Sequence, residues 1–328
     1  MPTPFLCRTP FLLDWANIII SKVELREVFM TLKTVAIISP GDMGHAVGRM
    51  LGLHGYEVIT CLANRSERTK RLAAEGGIRD CPTMAEMLER ADLVLSIVPP
   101  GLAAQAADEV AESMSESGYC PPYADCNAVS PETANAIAKQ ISDAGADFID
   151  GGILGPPPSE TRSNTRFYFS GERAELLAAL DGKGIVVRLL GTEIGRASGI
   201  KMCYAALTKG TNALQTAVIT LAEALGLTEE VSHELQTSQE ASYKQIASSA
   251  PRLPVVAWRY IDEMKQIAQT FEAAGVTPKF HEGAVDIYTH LATTPLAEQT
   301  LEKRDKSLSP QQAAAVYAKH LPMKIDDN

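Results

Sequence analysis

The sequence predicts an α/β protein: a doubly wound parallel sheet followed by an all-helical domain. Three observations predict it. Short β-branched runs alternate with helical patterns for about 160 residues. The first such run, Thr34–Ser39, passes straight into a glycine turn and a helix. After Glu193 almost everything has helical period. The chain has 328 residues, too long for one typical domain. We divide it into an extension outside the fold (1–30), a sheet domain (31–192) and a helical domain (193–328).

The elements follow in order. Thr34–Ser39 is a continuous β-branched run, as for a strand buried on both faces. Pro40–Gly44 turns into a helix from His45 to His54. Gly55–Leu62 is a second strand, and Ala63–Arg68 leads into a helix ending near Ala74. Gly76–Asp80 is a short third strand, Pro82–Arg90 a helix, and Asp92–Val98 a fourth strand stopped by Pro99-Pro100. A helix over Leu102–Met114 precedes a fifth strand, Tyr123–Ala128. Pro131 then takes the first position of the next helix, which its fixed φ favours. Asp147–Asp150 is a sixth strand. Arg166–Ser170 and Gly184–Leu189 are two more, with a helix between them. The later helices span 193–225, 228–247, 254–273, 279–291 and 310–319, punctuated by Gly226, Gly275 and Pro278.

Composition narrows the function. Net charge is −10 with no long basic run, so nucleic acid and anionic membrane are excluded as expected partners. The apolar run Phe11–Ile20 is divided by Asp14 and too short to span a bilayer; Met30 begins a natural-looking start. The six cysteines lack a C-x-x-C pair and read as reduced residues of a cytoplasmic protein. The six histidines lack metal-ligand spacing, so no protein-bound metal is expected.

Two stretches carry chemistry. Ser39-Pro40-Gly41-Asp42-Met43-Gly44 lies at the first strand-to-helix turn. A dinucleotide pyrophosphate needs backbone amides there with no side chain in the way, and Gly41 stands at the closest approach. The departure is Ser39 where the fingerprint has its first glycine. At the tip of the second strand an NAD site places an acid; here the sequence reads Asn64-Arg65-Ser66-Glu67-Arg68. An arginine fork and a hydroxyl suit a 2′-phosphate, so NADP is the expected cofactor over NAD. A polar loop with its own helix cap at Ser66 is the structural alternative.

The second stretch is Gly191–Gly210. Thr192 can cap a helix starting near Glu193, and Lys201 interrupts that greasy helix with no carboxylate three or four residues away. Ser198, Tyr204, Ala205, Thr208, Asn212 and Gln215 share its face. An ordinary snorkelling lysine is the alternative to a catalytic one.

With that turn, Val98-Pro99-Pro100, Asp125–Pro131, Asp150–Gly155 and Gly195-x-x-x-Gly-Ile-Lys201 in order, the chain resembles the β-hydroxyacid dehydrogenase superfamily. The resemblance runs from residue 33 to about 295. It points to a 6-phosphogluconate dehydrogenase-like branch with its own C-terminal domain of unknown function. It implies a Rossmann-type sheet domain, with Val98 and Pro99 lining the cofactor cleft and Asn127 on the nicotinamide ribose. It implies a loop over Gly151, Gly152, Ile153, Leu154 and Gly155 that binds a substrate carboxylate, and Lys201 as general acid/base. Where the family carries an asparagine four residues after the lysine, this chain has Ala205; Tyr204, with or without Thr208, would supply the missing polar contact.

The expected function is an NADP-dependent oxidoreductase acting between hydroxyl and carbonyl on a small acid, working as a homodimer through the helical domain. An imine or ketone reductase of the same fold, or a non-catalytic NADP-binding protein, are the alternatives.

Overall fold

The computed structural model describes residues 32–162 and 164–322. The expected extension over 1–30 lies outside them.

One eight-stranded sheet organises the first half: β1 (Thr34–Ile38), β2 (Glu57–Thr60), β3 (Arg79–Asp80), β4 (Leu93–Ser96), β5 (Tyr123–Asp125), β6 (Phe148–Leu154), β7 (Arg166–Ser170) and β8 (Val186–Leu189). Their spatial order is 3-2-1-4-5-6-7-8. The order reverses between β1 and β4, the switch point beyond whose carboxyl ends doubly wound sheets bind ligands. Helices α1 (Asp42–Leu53), α2 (Glu67–Glu75), α3 (Met84–Arg90), α4 (Ala103–Ser117) and α5 (Pro131–Asp143) connect the first six strands. Successive residues of β1 face opposite ways, and the core divides accordingly. Val35 and Ile37 pack with Val47 and Leu51 of α1 and with Phe167 and Phe169 of β7. Ala36 and Ile38 pack against α3, α4 and α5 through Met87, Ala107 and Ile137.

The sheet departs from expectation in one respect: β6 and β7 are antiparallel, paired from Asp150↔Ser170 to Leu154↔Arg166. The link over residues 155–165 is too short for the crossover that parallel pairing needs. This pairing also extends β6 to Leu154, so Gly151–Leu154 form strand rather than the expected loop. The helix expected between β7 and β8 is a 3₁₀ segment, Ala174–Leu180.

The helical half comprises α6 (Arg196–Ala224), α7 (Thr228–Ser238), α8 (Glu240–Ser249), α9 (Leu253–Ala273), α10 (Lys279–Ala292) and α11 (Pro310–Lys319). The single helix expected over 228–247 is two, broken at Gln239. Small residues of α6 (Ala205, Ala206, Ala213) let α9 and α10 approach closely, and Met264, Tyr288 and Tyr317 fill the core between them.

Candidate active site

At the glycine turn the three glycines have different surroundings. A Cβ on Gly48 would stand 2.6 Å from Ile78 Cδ1, and one on Gly44 3.3 Å from Ile37 Cγ2, so both serve close packing of α1 on the sheet. A Cβ on Gly41 would meet nothing nearer than Ser39 O at 4.0 Å. The space over Gly41 is therefore open toward the outside of the protein. Gly41 is the N-cap of α1 and no side chain caps its amides, which leaves donors for an anion. Ser39 turns the chain there at φ 54°, the job the fingerprint gives to glycine. Pro40 is buried, and the half-buried Met43 packs against the core.

Two guanidinium groups meet Asp42 of this turn, and a third lies at the tip of β2. Arg68 Nη2 pairs with Asp42 Oδ1 at 2.6 Å and lies 3.5 Å from Glu302. Arg259 of α9 lies 3.7 Å from Asp42 Oδ2, and Arg65 lies 3.4 Å from Glu109. The Nε atoms of Arg65 and Arg259 are buried without a hydrogen-bond partner. An uncapped helix terminus, an open glycine and arginines with donors to spare fit a dinucleotide phosphate. Asn64 turns the chain at φ 60°, and Ser66 Oγ accepts from Thr69 N at 3.2 Å as the cap of α2. The local cap expected as the alternative for Ser66 is thus present.

Val98 and Pro99 follow β4 and are half-buried. Val98 N–H donates to Asn127 Oδ1 at 2.7 Å, and Asn127 Nδ2 donates to Ser96 Oγ and to Asp125 Oδ2. Asn127 is buried, and its amide joins the tips of β4 and β5. Its protein contacts clamp the two strand tips together; the ribose contact that the resemblance implied for it stands as an expectation.

Next, β6 positions α6. The buried Asp150 carboxylate accepts from Gly195 N and Ala197 N at 2.9 Å and from Ser198 N at 3.0 Å, besides the hydroxyls of Ser170 and Ser198. Asp150 therefore caps the helix. Thr192 does not: α6 begins at Arg196, after Gly195 at φ 100°. Burial pushes the Asp150 carboxyl pKa up, against the pull of these donors. One turn further stands Lys201. A Cβ on Gly152 would lie 2.6 Å from Ala197 O and 3.0 Å from Lys201 Cβ, so glycine alone admits α6 this close. Gly155, just past the strand, has φ 114°.

Lys201 Nζ donates to Ile153 O at 3.1 Å and lies 3.6 Å from Glu263 Oε1 of α9. Lys209 Nζ lies 2.9 Å from the same oxygen. The two lysine side chains are 15% exposed and the glutamate 7%. Burial lowers the Lys201 pKa to about 8, with Glu263 raising it and Lys209 lowering it further. Glu263 and Lys209 hold each other charged: burial opposes both charges, but the pair prevails, lowering the Glu263 pKa and raising that of Lys209.

The polar line expected along α6 divides. Ser198 is committed to Asp150, and Ala205 is buried in the helical core. Tyr204 is 43% exposed, and Thr208 Oγ1 donates to Tyr204 O at 3.1 Å. Sequence reasoning missed Glu263, Lys209 and Arg259, each of which reaches the site only through helix packing. A glutamate beside Met264 and Ile267, on an apolar helix face, was the available signal. Among the described residues no group of three or more His, Cys, Asp or Glu could hold a metal ion, and no helix is long and apolar enough to cross a membrane.

Both halves of the chain resemble known proteins. Residues 34–180 match the sequence model of the NAD binding domain of 6-phosphogluconate dehydrogenase. Residues 222–291 match that of a domain of unknown function. An uncharacterised 28.5 kDa protein of Methanothermus fervidus is 29% identical over 59% of this chain and 72% of its own. The mitochondrial 3-hydroxyisobutyrate dehydrogenase of Mus musculus is 26% identical over 60% of this chain, and the match spans 58% of that enzyme. Among solved structures, a conserved protein of unknown function, described as structurally similar to 3-hydroxyacid dehydrogenases, is 28% identical. It covers 79% of this chain and 96% of its own with a TM-score of 0.56. The chain thus carries an NAD-binding domain of the 6-phosphogluconate dehydrogenase type, followed by that domain of unknown function.

Proposed function

We propose that the protein is an NADP-dependent oxidoreductase that interconverts a hydroxyl and a carbonyl on a small, carboxylate-bearing substrate, with Lys201 as the acid/base. One observation carries this reading: a largely buried lysine, held against β6 by a capped helix, with its pKa lowered to about 8. Free amides from Gly41 to Gly44 would hold the cofactor pyrophosphate. Arg65 and Arg68, with Asn64 and Ser66, would hold the 2′-phosphate, and Val98 and Pro99 would line the cleft. When bound, the nicotinamide accepts or supplies the hydride. Lys201 takes the hydroxyl proton in oxidation and returns it to the carbonyl oxygen in reduction. Lys201, Lys209 and Glu263 sum to one positive charge, which favours an anionic substrate.

The sign of the pH dependence follows. As an acid, Lys201 must be protonated, so reduction proceeds below about pH 8 and declines as pH rises through that value. Oxidation has the opposite limb. The test is NADPH consumption against keto acids, semialdehydes and cyclic imines. Lys201→Met should keep NADPH affinity and lose turnover by roughly 10²–10⁴. The same panel run with NADH reads the cofactor preference, and equal rates and affinities would remove NADP from the reading. If Lys201→Met turns over at the wild-type rate while Tyr204→Phe is dead, an imine or ketone reductase with tyrosine as donor replaces the lysine mechanism. Tight NADPH binding with no turnover on any substrate marks a non-catalytic binding protein.

A further inference from the structure

Lys209 follows Lys201 by eight residues on α6, a rise of about 12 Å along the helix axis. Both amines nevertheless reach one oxygen of Glu263, which α9 inserts between them. The two reach it unequally. Lys209 makes the shorter contact, 2.9 Å, and is fixed from two further sides: its amine lies 5.1 Å from the centre of the Tyr260 ring, and its carbonyl accepts from Tyr288 Oη at 2.8 Å. Lys201 stands 3.6 Å from the carboxylate and donates to the Ile153 carbonyl.

We infer that Lys209 is a positioning residue for Lys201: by holding the Glu263 carboxylate at 2.9 Å it keeps the Lys201 amine 3.6 Å from that oxygen, out of a close salt bridge and free to exchange a proton. The inference rests on the acid/base role of Lys201 and adds the group that controls its charge. Without Lys209, the buried carboxylate has one cation left and would bind Lys201 directly. A buried pair of that kind keeps its proton, because either neutral partner would leave the other charge uncompensated.

The remaining groups around Lys201 do not duplicate this effect. From β6 come only the Ile153 carbonyl and Asp150, which is engaged by the amides of α6. From α9, Arg259 and Tyr260 act on Lys209. Asp262 is paired with Lys265 at 3.1 Å. From α10 comes the Tyr288 phenol, whose pKa burial pushes far up, so that it stays neutral, and His281, whose pKa burial lowers. On α6 itself Tyr204 is partly in solvent.

The test reads the charge of Lys201 directly. In the full chain with ¹³C-labelled lysine side chains, the Lys201 signal is assigned by its loss in Lys201→Met and titrated by NMR. The wild-type midpoint should fall near 8. Lys209→Met should move it up, and Glu263→Gln down, each by about one pH unit or more. Lys209→Arg, which keeps the charge, should restore the wild-type midpoint. A purely structural role for Lys209 gives no such opposed pair. An unmoved midpoint in Lys209→Met, or a shift in the same direction as in Glu263→Gln, overturns the inference. Should Lys209→Met fail to fold, an unmoved midpoint in Glu263→Gln overturns it equally. The titration needs no substrate, so it stands apart from the turnover test: opposed shifts with a fully active Lys201→Met would sink the acid/base reading and keep the coupling.

Discussion

Asp125 and Asp150 are register partners on β5 and β6, both buried, and their surroundings treat them differently. Asp150 accepts from three backbone amides at a helix N-terminus. Asp125 accepts only from the backbone amide and side-chain amide of Asn127, and burial pushes its pKa to about 7. A carboxyl raised in the folded state contributes stability that is complete below its unfolded value, near 3.9, and is lost as pH rises through about 7. Asp125→Asn should remove that slope. Between pH 4 and pH 7 the wild type should lose stability relative to the variant, by at most on the order of 4 kcal/mol. Urea unfolding of both proteins at several pH values measures it. Parallel curves would show that the Asp125 carboxylate is stabilised as the anion.

At the scale of elements, the contact between β6 and α6 sets where Lys201 stands. Two glycines distinguish packing from ligand space. Gly152→Ala would drive a methyl into Ala197 O and Lys201 Cβ, lifting α6 from the strand. It should cost roughly 1–3 kcal/mol and, by displacing Lys201, about 10²-fold in turnover. Gly41→Ala meets only open space within the protein. Its stability should stay within about 1 kcal/mol of wild type while NADPH affinity falls, since the methyl intrudes where the pyrophosphate approaches. Unfolding curves and NADPH titrations on the two variants read both effects. The reverse pattern, a destabilised Gly41→Ala with intact cofactor binding, would mean that the turn serves packing alone.

At the scale of the whole molecule, α6 presents a stripe that is exposed among the described residues. Leu207 and Leu214 are 71% and 66% exposed, and Leu221 and Leu225 continue the row at helical spacing. A row of large apolar residues along a 29-residue helix is more than a monomer ordinarily exposes. We propose that a second copy of the chain covers it, since one self-complementary helix face closes a two-fold dimer. Sedimentation at micromolar concentration should find a dimer, and Leu214→Glu with Leu221→Glu should give monomers. A monomeric wild type would contradict the assignment.

Local rules made the sheet domain legible. Strand runs, the cap at Ser66, Pro131 at a helix start and the Gly41–Gly44 turn depend on residues near one another in the chain, so periodicity and turn chemistry reveal them. Lys201 could be singled out because an unpaired lysine in an apolar helix breaks a local pattern. What surrounds it could not. Asp150 replaces Thr192 as the cap of α6 from 45 residues away, and the extension of β6 depends on pairing with β7. Glu263 enters from a helix whose approach depends on how Ala205 and Ala206 pack. Sequence thus determined which groups could do chemistry, because side-chain type and local spacing are written in it. Which carboxylate meets which amine was decided only by the tertiary packing, because the lysine's charge is set by burial and by neighbours that no local spacing brings together.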